Sequence, residues 1–217
     1  MRIRFCDDRG AAGFSWIVDE PMTRTSHALA ERGRVWLVDP VRHAPALLRA
    51  AELGAPRAVL QLLDRHHRDC ASIATELGVP HLLVPDVLPD SPFEPVAVRQ
   101  TRRWREIALW WPSERTLVVA EAVGTNPFFA AGGDRAGVHP LLRLRPPRDA
   151  LSPFVPEHLL VGHGEGLHGQ SAAQGLDAAL AHARTALPRL ALRAPALAVD
   201  AIGRRRRDAP SELSGRT

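Results

Sequence analysis

The chain has 217 residues, 45% hydrophobic and 24% charged, the proportions of an ordinary globular protein with room for a sizeable core. Two cysteines leave no disulfide framework and point to a reducing, cytoplasmic setting; Met1–Asp8 lacks an apolar h-region, so no secretory signal is expected, and no run is long enough to span a bilayer. The net charge of +4 and the pI of about 10.6 are no argument for nucleic acid, because Lys and Tyr are absent and all 28 basic residues are Arg, scattered rather than arranged in a stripe.

Gly13–Val18 reads as a first strand. Ala28–Pro40 reads as a hairpin about Arg32-Gly33, ending in a strong strand that Pro40 stops. His43–Gly54 has Pro near its start and Gly at its end, the asymmetry of a helix. Val59–Leu63 is a short apolar run, a buried strand, and it breaks abruptly into Asp64-Arg65-His66-His67-Arg68-Asp69-Cys70. Ser72–Gly78 then reads as a helix closed by Gly, and His81–Pro85 as another short strand. Strand and helix alternate through this half, as in layered α/β folds. Residues 86–95, rich in Pro and Asp, form a loop.

Val96–Val98, Glu106–Trp111 and Thr116–Ala120 read as antiparallel strands, the last two joined by the turn Pro112–Arg115. Residues 124–150, irregular and full of Gly, Pro and Arg, read as a long surface excursion. His158–Val161 is a final buried strand opening into Gly162-His163-Gly164-Glu165-Gly166. Leu176, Ala179, Leu180, Ala183 and Leu187 repeat at helical spacing up to Pro188. The expected organisation is one domain over residues 1–200 and an Arg-rich disordered tail over 201–217 that begins near Arg204–Arg207.

A polar cluster at the carboxyl end of a buried strand, just ahead of a helix, is where α/β proteins keep their chemistry. Several of its residues also have plain roles. Cys70 suits a small buried position on a helix packed against the sheet, and Asp69 suits a helix N-cap. His66 reads as a surface neighbour, and His139, His168 and His182 as having no metal role. His163 lies between glycines that allow close approach.

This order of elements resembles the metallo-β-lactamase-fold hydrolase superfamily over roughly residues 13–190. Val35–Asp39 looks like the family's strand ending in Asp. The loop after Leu63 is similar to its His-x-His-x-Asp-His motif. Val118–Ala122 looks like the segment supplying a bridging carboxylate, and Leu160–Gly164 resembles the Gly-His-Gly turn. The resemblance implies an α/β (α+β) fold, a four-layer αβ/βα sandwich. It also implies two metal positions. The first would fall on Arg65, His67 and Arg102; guanidinium has no lone pair, so this position is lost. The second would fall on Asp69, Cys70, Glu121 and His163, all types that bind zinc.

Two functions follow from the resemblance. One is a degenerate, metal-poor or metal-free protein that binds a small-molecule ligand or a partner protein, with Arg65 or Arg102 in place of the first metal and paired to Glu121 or Asp69. The other is a hydrolase of an ester, amide or phosphoester carrying one zinc ion at most, with Asp69 at the catalytic position and Arg65, Arg68 and Arg102 favouring an anionic substrate. The first is slightly preferred. Neither membrane nor nucleic acid is expected as a partner.

Overall fold

The computed structural model describes residues 2–66, 68–130 and 133–186. The expected tail, Pro188 at the end of the last helix, and His67 lie outside them.

Two sheets carry the architecture. The first has the order β1-β2-β3-β4-β5-β6, from β1 (Ile3–Cys6), β2 (Gly13–Val18), β3 (Thr25–Glu31), β4 (Arg34–Val38), β5 (Ala55–Gln61) and β6 (His81–Leu83). Its first four strands run antiparallel, while β4, β5 and β6 are parallel. The β3–β4 hairpin turns at Arg32 and Gly33, both at positive φ, as a tight hairpin turn requires. The parallel steps are made by α1 (Ala44–Leu53) and α2 (Cys70–Leu77), which lie on the outer face.

The second sheet needs β7 (Glu94–Thr101), β8 (Trp104–Trp111), β9 (Thr116–Val119), β12 (His158–Val161) and β13 (Leu167–His168), in the order β13-β12-β9-β8-β7. A small pair, β10 (Val123–Gly124) with β11 (Gly137–Val138), leans on α4 (Gln170–His182); α3 (Arg148–Leu151) packs near β7. Among the described residues no helix is long and apolar enough to cross a membrane.

Period-two alternation explains the layering. In β4, Val35 and Leu37 face the α1/α2 side with Phe14, Trp16 and Ile73, while Trp36 and Val38 face the other sheet. In β5, Val59 goes outward, and Ala58 and Leu60 join Leu109 and Val118 between the sheets. A strand buried on both faces reads as a continuous apolar run. Helices outside two facing sheets give the four-layer sandwich. In α2, Cys70, Ile73 and Ala74 are buried and Gly78 closes the helix at φ 65°. Truncating fully buried Ile73 to Ala removes a methyl-rich contact worth about 2 to 5 kcal/mol.

The structure departs from the sequence reading in one stretch. Residues 124–150 are no surface excursion: Phe129, Ala136, Val138 and Leu142 are buried, and the segment covers one end of the second sheet. Gly-, Pro- and Arg-rich composition marked irregular backbone correctly but carried no signal of burial.

Candidate metal centre

The carboxyl ends of two parallel strand pairs, β4 with β5 and β9 with β12, meet at one edge of the sandwich. Each sends a polar residue into the same space. β4 ends in Asp39, held at φ 44° and 2% exposed. β5 leads into His66, β9 into Glu121, and β12 into His163. His66, Glu121 and His163 bring one ligand atom each to within 4.8 Å of one another, forming a candidate metal group among the described residues.

Hydrogen-bond partners set the tautomers. Asp39 Oδ2 accepts from His66 Nδ1 at 3.1 Å, which turns His66 Nε2 toward Glu121 Oε2, 3.9 Å away. The Met22 carbonyl accepts from His163 Nδ1 at 2.8 Å. His163 Nε2 is therefore a bare lone pair, and it is buried with no hydrogen-bond partner. Burial, with Arg68 second, holds the His163 pKa down at about 3, so the ring is neutral across the physiological range. This is the arrangement in which metal-binding histidines are held, one nitrogen anchored and the other free.

Glu121 is held from below and from the side. Glu106, fully buried, accepts the backbone N–H groups of Glu121 and Ala122 at 2.8 Å each through Oε1, and the Trp104 indole N–H at 2.8 Å through Oε2. Burial pushes the Glu106 carboxyl up to about 7 against those donors. His139 accepts from the Leu141 N–H through Nδ1, so its proton sits on Nε2, which faces Glu121 Oε1 at 3.5 Å. Burial, then Arg65 and Arg143, keep the His139 pKa near 4.

The two glycines around His163 are required by close approach. The His163 carbonyl accepts from Thr125 and Asn126 N–H at 3.0 and 3.3 Å, while Gly162 and Gly164 carbonyls accept from Thr25 N and Thr25 Oγ1 at 2.8 and 2.6 Å. The turn is thus clamped between the two sheets. A Cβ on Gly162 would strike the Ala120 carbonyl, and one on Gly164, at φ 105°, would strike Thr125.

The other residues singled out from the sequence lie around this group. Arg65 stacks its guanidinium 3.9 Å over the Trp104 ring, with Nε 3.7 Å from Glu121 Oε2 and the side chain 40% exposed. It is a rim cation, and its contact with Glu121 is longer than a hydrogen bond. Arg102 is exposed at the β7–β8 turn. Arg68 donates to the backbone carbonyls of Asp39 and Gly162, at 2.9 Å each, and of Thr25, so its fork joins the two sheets. Asp69 Oδ2 accepts from the Arg42 N–H at 2.7 Å and makes no cap bond to α2. Cys70 packs among Phe14, Trp16 and Ile73, where burial raises its thiol pKa, and neither it nor Asp69 belongs to the metal group.

Two residues were missed from sequence. His66, read as a surface neighbour, is 8% exposed and belongs to the candidate metal group. The available signal was Asp39, the strand-end carboxylate that needs a partner. His139, read as having no metal role, is 8% exposed and supports Glu121.

No protein-family model and no curated protein matches the chain. Solved structures do. The DIM-1 metallo-β-lactamase exposed to ceftazidime is 14% identical with a TM-score of 0.58, covering 86% of this chain and 98% of that one. A metallo-β-lactamase from Hirschia baltica is 12% identical with a TM-score of 0.54, over 81% and 96%. The chemotaxis sensor ODP, solved as a peroxy diiron species, is 12% identical with a TM-score of 0.52, over 82% and 94%. At these identities the likeness is one of fold.

Proposed function

We propose that this chain, which has the metallo-β-lactamase fold, is a hydrolase built around a single divalent metal ion, zinc by preference, held by His66, Glu121 and His163. The observation that carries the reading is the buried, unpartnered Nε2 of His163, facing two further ligand atoms. An orphaned lone pair in a buried site costs about 1 to 3 kcal/mol unless something occupies it. The donor set fits. Two imidazoles and one carboxylate are a zinc set that leaves an open coordination position. Ligands of one ion with bonds near 2 Å stand no more than about 4 Å apart, so a separation of 4.8 Å closes by small side-chain rotations.

When bound, zinc supplies Lewis acidity and lowers the pKa of a coordinated water toward neutrality. The chain's own residues do the rest. Asp39 and the Met22 carbonyl fix which imidazole nitrogen points inward. His139 occupies Glu121 Oε1 and leaves Oε2 for the ion. Arg68 adds a buried cation whose N–H groups bind backbone carbonyls; that charge beside the group favours one metal ion over two. Arg65, on the exposed rim, favours an anionic ester, amide or phosphoester.

A second reading, a metal-free ligand-binding protein, is favoured by Arg65 beside Glu121, where a protein cation already offsets the carboxylate. Elemental analysis of protein purified without added metal, followed by zinc titration of parent and His163→Ala, separates the two. The hydrolase reading expects one ion at His66, Glu121 and His163, lost from that site in His163→Ala, and chelator-sensitive cleavage of a chromogenic ester, phosphodiester or cephalosporin. Parent protein that neither carries nor takes up zinc at this site overturns it.

A further inference from the structure

At the other end of β12 from His163, the antiparallel register sets His158 directly opposite His168 on β13. Residues directly opposite share one face of the sheet with their Cβ atoms about 5 Å apart. Their rings meet with the two Nδ1 atoms 2.8 Å apart. His168 Nε2 faces Asp7 Oδ1 at 3.1 Å, and the same oxygen accepts the Gly166 N–H at 3.0 Å. The carboxylate therefore places the His168 proton on Nε2 and leaves its Nδ1 lone pair aimed at His158.

We propose that His158 and His168 form a second metal site, a bis-imidazole chelate for a divalent transition metal ion, with Asp7 as the carboxylate that orients one ligand. Only a shared proton stands between the two Nδ1 atoms. On binding, that proton moves to Nε2 of His158, and both Nδ1 lone pairs are free for the ion. The pair opens onto a concavity of about 640 Å³ lined also by Asp7, Arg9, Glu114 and Glu165. Glu114, Glu165 and Asp8 there are paired to Arg9, Arg4 and Arg49, so water completes the coordination. Two imidazoles with oxygen ligands suit Cu(II), Ni(II) and Zn(II), Cu(II) most tightly.

The site does not depend on the first centre, but it affects it. His158 and His168 flank the Gly162–Gly166 turn that carries His163, so an ion bridging β12 and β13 fastens the base of that turn.

The test titrates the full chain with Cu(II), reading stoichiometry by calorimetry and the ligand set by electron paramagnetic resonance. The parent is expected to bind two ions, His163→Ala one and His168→Ala one; the ion remaining in His163→Ala shows two-imidazole nitrogen coupling. Asp7→Asn should weaken the second site roughly 10- to 100-fold, as loss of an orienting carboxylate does. His182→Ala, a histidine paired to Asp134 elsewhere on the surface, should change neither. His168 is 38% exposed in its side chain, so His168→Ala is expected to fold, and the Cu(II)-induced rise in Tm at the second site should vanish with it. A His168→Ala chain that binds as many ions as the parent, with the same rise in Tm, overturns the proposal. A parent with one ion and a His168→Ala chain with none leaves this site standing and removes the first.

Discussion

The Nδ1–H of His66 points into the Asp39 carboxylate, 3.1 Å away, where β4 ends in a left-handed turn. The other oxygen of Asp39 accepts the Leu62 N–H at 3.2 Å, so one buried carboxylate fixes both the path of the loop after β5 and the ring that the loop presents. Burial raises the Asp39 pKa, but His66, Arg68 and the Leu62 N–H more than offset it, and the net shift is downward.

Asp39→Asn keeps the size of the side chain and removes its charge. Zinc affinity at His66, Glu121 and His163 should fall about 10- to 100-fold, the usual cost of losing an orienting partner. Calorimetric titration of parent and variant reads this directly. Unchanged affinity would mean that the Asp39–His66 pair only shapes the loop.

Glu106→Ala should be among the more damaging single changes. It strands the Trp104 indole N–H and the N–H groups of Glu121 and Ala122 in a fully buried setting. The expected cost is at least about 3 kcal/mol, read from the urea midpoint. Glu106→Gln retains an oxygen acceptor toward the backbone pair and should cost clearly less.

Arg65→Ala should be almost silent in stability. A 40% exposed arginine at 3.7 Å from Glu121 is a rim contact, worth about 1 kcal/mol or less. Its effect belongs in the rate constants: kcat/KM for an anionic substrate should drop and should lose part of its salt dependence, while a neutral ester is cleaved as before. A loss of several kcal/mol in unfolding would place Arg65 in a buried network instead.

His27 gives the acid limb of stability a definite sign. It is 1% exposed, bonded to Ser15 Oγ at 2.8 Å, and burial depresses its pKa to about 4. The unfolded chain binds the proton near pH 6.5, the native chain only near 4. Stability from this group is thus complete above about 6.5 and is lost as pH falls toward 4, about 3 kcal/mol in all at ~1.4 kcal/mol per unit. His27→Gln should flatten that slope whatever it does to absolute stability. An equal slope in parent and variant counts against the shift.

Much of the fold was readable because its signals are local. Apolar runs, period-two alternation in β4, and Gly, Pro and turn residues marked the strands and helices with small errors at their ends. β1 escaped, since only four half-exposed residues form it at a sheet edge. The resemblance of the Gly-His-Gly turn, the acidic residue after β9 and the strand-end Asp39 to a known family also placed the edge where the polar groups gather.

Which side chains enter that edge was not local. A motif reading offered His67, Asp69 and Cys70 as ligands; His67 lies outside the described residues, and of the described ones His66 joins the candidate group, Asp69 binds the Arg42 backbone and Cys70 sinks under α2. A loop carries no periodicity from which its inward-facing residues can be read. His139 was hidden for a related reason: its partner Glu121 lies eighteen positions earlier, and only the fold of residues 124–150 over the second sheet brings them to 3.5 Å.

The amino-acid sequence by itself determined the elements, their layering and the polar residues available at the carboxyl ends of the strands, because hydrophobic periodicity and chain-breaking residues act over a few positions. The tertiary structure alone decided the tautomers of His66 and His163, the burial of the free Nε2, the conversion of Arg68 into a cross-link between sheets, and the meeting of His158 with His168. Each of those depends on a partner contributed by another strand or turn: a neighbouring strand of the same sheet for His66 and His158, and the facing sheet for His163 and Arg68.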